Sequence, residues 1–225
     1  MLKNLSVIFF IGFMTTVCGG LLFALADFVQ INEPYIYFKL SDLADFILIS
    51  YSFVFAICSY FFLVKITDHM KQKKKKKKKK NASSSFRSFL LWTGGIQLLF
   101  IPFVYLAMHH SITITEKEIL VSPFWDLDQK HYSWEAVDFI ELSYEYDEGE
   151  YYGSYVMYLV DGEDWDLWDI DSEVFSQLMI VDELAKSKQV EKEIWNQPYL
   201  SEIPDWADEG NHTEEQLKTL FEIYE

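Results

Sequence analysis

Three stretches in the first half of the chain carry no charge at all: Leu5 to Ala26, Phe46 to Val64 and Phe89 to Met108. A helix needs about 20 apolar residues to cross a hydrocarbon core roughly 30 Å thick. All three stretches meet that length, so the pattern predicts transmembrane helices over residues 5–26, 46–64 and 89–108. Gly19-Gly20 and Gly94-Gly95 suit close helix contact within a membrane. Pro102 predicts a kink in the third helix.

From Ser111 the period changes from helical to two. Ile112-Thr113-Ile114-Thr115 alternates apolar and hydroxyl side chains, Glu116-Lys117 marks a turn, and Ile119-Leu120-Val121 continues as a strand. Val137 to Tyr146 reads as a further strand. Tyr155 to Val160 and Trp165 to Ile170 flank Asp161-Gly162, a hairpin signal that calls for positive φ at both turn positions. Asp171-Ser172 then caps a helix whose apolar positions are Val174, Leu178, Val181 and Ala185. Strands followed by a helix predict a small α+β domain over residues 110–190. Residues 191–225 read as an acidic C-terminal extension. It contains irregular chain anchored by Trp195 and Trp206, then an amphipathic helix over 213–224. That helix opens on the capping box Thr213–Gln216 and lines Leu217, Leu220, Phe221 and Tyr224 along one face.

Composition sharpens this division. The chain has 225 residues, a formal net charge of −16 and two cysteines. Residues 1–109 are net +8 and residues 110–225 net −24. The acidic balance excludes nucleic acid as a partner, since affinity for phosphate comes from basic surface. Two cysteines exclude a disulfide framework and multi-cysteine zinc modules.

Charge also predicts orientation. The loop 65–87 holds 11 basic residues and one acid, Asp68, whereas the loop 27–45 holds four acids and one base. Positive charge near membrane ends stays cytoplasmic. Moving each charge outward against the potential costs about 2.3 kcal/mol per 100 mV. The N-terminus and the Lys65–Arg87 loop are therefore expected in the cytoplasm, and the C-terminal domain outside the cell membrane. Ala24-Leu25-Ala26 before Asp27 also fits a signal-peptide cleavage site, although the apolar run is long for one. Cleavage there leaves the sidedness of the rest unchanged. The Lys73–Lys80 block either contacts anionic lipid headgroups or merely fixes topology as low-complexity loop.

Thr115-Glu116-Lys117-Glu118-Ile119-Leu120-Val121 followed by His131-Tyr132-Ser133-Trp134-Glu135-Ala136-Val137 resembles the start of bacterial PH-like domains of the YcxB-like kind, which often follow transmembrane helices. The resemblance covers residues 110–190. It implies a partly open antiparallel barrel closed by a helix, and an interaction module rather than an enzyme.

Candidate chemistry is sparse. Asp161, Glu163, Asp164, Asp166, Asp169 and Asp171 fall close together, and crowded carboxylates favour a hard cation. The spacing is not that of an EF-hand, and on a strand Asp164 and Asp166 form a solvated face opposite Trp165 and Leu167. Cys18 and Cys58 lie in apolar runs where a thiolate is disfavoured. No nucleophile elbow, P-loop or dinucleotide fingerprint occurs, and no ionisable residue lies inside the spans. The expectation is a non-enzymatic, multi-pass membrane protein without cofactor, displaying an acidic PH-like domain to a protein partner. Trp125, Trp168, Leu217 and Phe221 are its candidate contacts. The alternative is a divalent-cation-responsive sensor built on Asp161, Glu163, Asp164, Asp166 and Asp169.

Overall fold

The structure is a computed structural model that describes residues 2–30, 35–74, 82–169, 171–210 and 212–223. Its chain forms two compact units, one of residues 1–32 and 42–110, the other of residues 33–41 and 111–225.

The first unit consists of three helices, α1 (Leu2–Gln30), α2 (Asp42–Lys74) and α3 (Ala82–His109), each packed on the other two. Two are long and apolar enough to cross a membrane. They run over Asp42–Thr67, with mean hydropathy 2.2, and Leu91–His109, with mean hydropathy 1.6. The run expected at residues 5–26 lies in α1, where the apolar stretch is Phe10–Ala26. Small side chains fill the helix contacts: Ala44, Ser52, Ala56 and Ala107 are fully buried. Gly19 leaves room for Ser52, whose Oγ donates to the Leu48 carbonyl at 2.8 Å. Large side chains point the other way. Phe13, Leu21, Leu91, Trp92, Leu98 and Leu99 are each more than 60% exposed. Large apolar side chains outside and mostly small ones inside are compatible with lipid around the two helices long enough to cross a membrane. Helix α3 runs unbroken through Pro102. Lys75–Lys80 of the lysine block lie outside the described residues.

The second unit is built on two four-stranded sheets. One has the order β1-β2-β3-β4, all antiparallel: β1 (Tyr37–Leu40), β2 (Ser111–Ile114), β3 (Glu118–Ser122) and β4 (Lys130–Ser133). The edge strand β1 comes from the segment between α1 and α2, which the sequence pattern did not mark as strand. It pairs Tyr37 with Ile114 and Leu40 with Ser111. A 3-10 turn over Trp134–Ala136 leads into the second sheet, of order β7-β6-β5-β8. Its strands are β5 (Val137–Asp147), β6 (Glu150–Leu159), β7 (Asp164–Asp166) and β8 (Glu191–Ile194), with β8 parallel to β5. Helix α4 (Ser172–Ser187) begins where Asp171 Oδ1 accepts from the backbone of Glu173 and Val174. It buries Phe175, Leu178, Val181 and Ala185 against both sheets.

Residues 191–225 are not an appendage. Besides β8 they supply α5 (Ile203–Glu209) and α6 (Glu214–Leu220), and Ile203, Trp206, Leu217, Leu220 and Phe221 belong to the same core as the sheets. The expected capping box at Thr213–Gln216 is present, with both hydrogen bonds made. Tyr224, expected on the apolar face of this helix, lies outside the described residues. The hairpin expected at Asp161-Gly162 forms, but only Gly162 takes positive φ. Paired left-handed residues occur instead at Glu148 and Gly149, the turn of the long β5–β6 hairpin.

One glycine in that hairpin is set by packing. A Cβ on Gly153 would lie 2.2 Å from the Trp168 ring. Gly153→Ala must push the indole out of its slot, and overpacking of this kind costs about 1–3 kcal/mol. Denaturant unfolding followed by tryptophan fluorescence is expected to show a lowered midpoint, with little change from Gly20→Ala, where the space is open.

Candidate interaction face

Of the carboxylates between Asp161 and Asp171, Asp161, Glu163, Asp166, Asp169 and Asp171 are spent on local architecture. Asp161 accepts from the Tyr132 hydroxyl at 2.7 Å and lies 3.6 Å from Lys130, whose ammonium also bonds Glu163. The Tyr132 hydrogen bond holds the Asp161 carboxyl below the usual carboxylate range. Asp166 Oδ1 accepts from the backbone N–H of Tyr155 at 3.1 Å and of Trp168 at 2.9 Å, and its Oδ2 accepts from Ser154 at 3.3 Å. Asp169 accepts from the Asp171 backbone at 2.9 Å. Among the described residues, no group of three or more His, Cys, Asp or Glu side chains is placed to hold a metal ion.

The candidate contact residues divide. Trp125 is 78% exposed beside buried Phe124. Trp168 is buried, stacked 5.4 Å from Trp206. Leu217 and Phe221 are fully buried, because their helix docks its apolar face on its own domain. These three therefore hold the unit together instead of meeting a partner.

Two buried polar groups brace the same unit. Asp182 accepts from Lys186 at 2.8 Å, Lys192 at 3.0 Å and the Tyr155 hydroxyl at 3.2 Å. Lys192 also donates to the Leu220 carbonyl at 2.9 Å, so one ion pair ties α4, β6, β8 and the end of α6. Burial, with the Asp182 charge beside it, pushes the Tyr155 phenol well above its ordinary range. His212 lies buried, stacked 3.9 Å from Phe175 and edge-on to Trp168, with Nδ1 unpartnered. Burial lowers its pKa, against the opposing charge of Asp169.

The outer face of the second sheet is different in character. Inward positions Ile140, Leu142, Tyr155 and Met157 are core. Outward positions form rows across the strands, fixed by the register. The first row reads Asp164–Tyr158–Phe139–Glu191, with Tyr158 and Phe139 stacked at 4.5 Å and 16°. The next reads Asp166–Val156–Glu141–Glu193. None of these side chains belongs to the core cluster. Lys192, in the middle of β8, points inward to Asp182. Lys39 reaches the β7 edge, but its ammonium bonds the carbonyls of Asp166 and Trp168 at 3.0 and 2.7 Å. Partial burial and the negative charges of Glu141, Asp164 and Asp166 raise the Tyr158 phenol pKa. The face is thus an aromatic pair set between carboxylates.

Sequence reading caught Asp164 and Asp166 as one solvated face but missed the rest. Those residues come from strands far apart in the chain, and only pairing registers bring them into rows. The alternation Glu191-Lys192-Glu193-Ile194 was the available signal for β8.

Removing one partner of a buried ion pair leaves a stranded charge, at a cost of about 3–5 kcal/mol. Asp182→Ala is expected to lose that much in chemical unfolding, and Lys186→Ala, at a half-exposed site, less than about 1 kcal/mol. His212 contributes a pH dependence of definite sign. Its unfolded form takes up a proton near pH 6.5, while the buried ring resists until lower pH. Stability is therefore full above that pH and falls as pH drops towards the folded pKa. Unfolding measured at pH 7 and pH 5 is expected to show a smaller loss for His212→Phe than for the parent chain. Compared with family models, curated proteins and solved structures, the chain finds no match.

Proposed function

We propose that this chain is a non-enzymatic integral membrane protein that displays an acidic, PH-like interaction domain outside the cell. In this reading α1, α2 and α3 all span the membrane. The N-terminus and the Lys65–Arg87 loop lie in the cytoplasm, and the second unit lies across the membrane from them. The observation that carries the reading is the pairing of β1 with β2. Backbone hydrogen bonds between residues 37–40 and 111–114 require the segment before α2 and the segment after α3 to share one side. Two crossings between them meet that requirement, and they leave the basic loop on the other side. Eleven positive charges then set that other side as cytoplasmic.

Two further observations favour an interaction domain. Asp161, Glu163, Asp166, Asp169 and Asp171 serve turns, a helix cap and an ion pair. The resemblance to YcxB-like domains implies a partly open barrel closed by a helix. Two sheets with α4 packed against them, and β1 completing the first, support that description. A net charge of −24 over residues 110–225 repels anionic lipid and attracts cationic partners.

Reporter fusions at Glu225 test the topology. Alkaline phosphatase, which folds only outside the cytoplasm, is expected to be active there, and a cytoplasmic fluorescent protein dark. A protease added to intact cells is expected to remove the C-terminal half. A bright fluorescent fusion with a protected C-terminal half overturns the reading.

A further inference from the structure

Among the described residues, the outward side chains of the β7-β6-β5-β8 sheet stay half-buried or exposed and outside their unit's core, and their chemistry points to one kind of occupant. Each row ends in carboxylates: Asp164 and Glu191 close the first, Asp166 and Glu193 the second. Four strands at about 4.8 Å spacing put the two ends of a row roughly 14 Å apart. Between them lie Tyr158 and Phe139, stacked and outside the core, with Val156 and Glu141 beside them. An aromatic face attracts a cation, and guanidinium groups stack on it better than ammonium groups do. The apolar stem of an arginine or lysine can lie along Phe139 and Val156 while its charge meets the flanking acids.

We infer that this sheet face docks an arginine-rich polypeptide segment of another protein, its guanidinium groups seated over the Phe139–Tyr158 pair between Asp164, Glu141 and Glu191. The inference deepens the reading of the second unit as an interaction domain and rests on it. The chain's own lysine block is not the occupant, because the proposed topology puts it across the membrane. A divalent cation fits less well, since Asp166 already accepts three hydrogen bonds.

Fluorescence anisotropy with labelled nona-arginine and nona-lysine, on the full chain in neutral detergent at about 50 mM salt, tests it where screening is weak. Nona-arginine is expected to bind several-fold more tightly than nona-lysine. Glu141→Gln/Asp164→Asn is expected to weaken nona-arginine binding by about five- to tenfold, as loss of two exposed charge contacts does. Glu183→Gln/Glu215→Gln removes the same charge from exposed helix positions elsewhere and is expected to weaken it less than about twofold. Tyr158→Ser is expected to abolish the preference for arginine; unchanged circular dichroism checks its fold, and the charge-pair comparison stands without it. Equal weakening by both charge pairs, no preference for arginine, or no binding overturns the inference. Detergent has no sidedness, so failure here leaves the topology standing, and a cytoplasmic C-terminus leaves the binding result standing.

Discussion

Strand β1 is the hinge of the structure. Four residues, Tyr37 to Leu40, leave the helical segment of the chain, pair with β2 and give the first sheet its outer strand. Their side chains reach further. The Tyr37 hydroxyl donates to the Leu167 carbonyl at 2.5 Å, and Lys39 donates to the carbonyls of Asp166 and Trp168, so β1 also fastens the irregular chain between β7 and α4. Tyr37 is fully buried, and removing it from that place leaves an acceptor and a cavity in the core. The unit's sheet order, its core and the sidedness argued above all rest on this short ladder.

The second constraint is electrostatic. A unit with so many acids keeps few of them inside. Among the described residues Asp182 is the buried carboxylate, and two lysines and a tyrosine satisfy it. Elsewhere the acids cap, turn or face outward, where water solvates them. The negative charge of the outer sheet face is left largely unpaired: Lys192 is directed inward to Asp182, and Lys39 sets a single positive charge at the β7 edge, held by backbone carbonyls. The same allocation of lysines that braces the core leaves the surface charged.

Much of this was readable in the residues. Long charge-free runs identify the helices of the first unit, because an apolar run of such length is carried by a helix, and two of these are long enough to cross a membrane. Asp171 and Thr213 announce their helices through capping chemistry that is local in sequence. Helix α5 was hidden because it is barely two turns long, although Pro204 in its first turn was a hint. Strand β1 was hidden for a deeper reason. Tyr-Phe-Lys-Leu has no alternation that stands out beside two apolar helices, and its strand character comes from a partner far along the chain. The β5–β6 turn escaped notice because Glu148 adopts left-handed φ without being Gly or Asn. The rows of the outer sheet face depend on register, which no single strand displays.

The discontinuity of the second unit bears on how the protein is made. Tyr37 emerges from the ribosome 130 residues before Leu167, the residue its hydroxyl will bond. At about 5–20 residues per second, that gap lasts from several seconds to nearly half a minute. Until Ser111–Ile114 is made the strand has no sheet to join, while α2 and α3 follow it out. Only after the second of these helices is in place can β2 arrive beside it. Formation of the first sheet thus waits until α2 and α3 have been made, and a copy whose β1 fails to pair keeps an open β2 edge of the kind that recruits other chains into aggregates. The order of synthesis makes β1 the strand that waits longest for its partner in the first sheet.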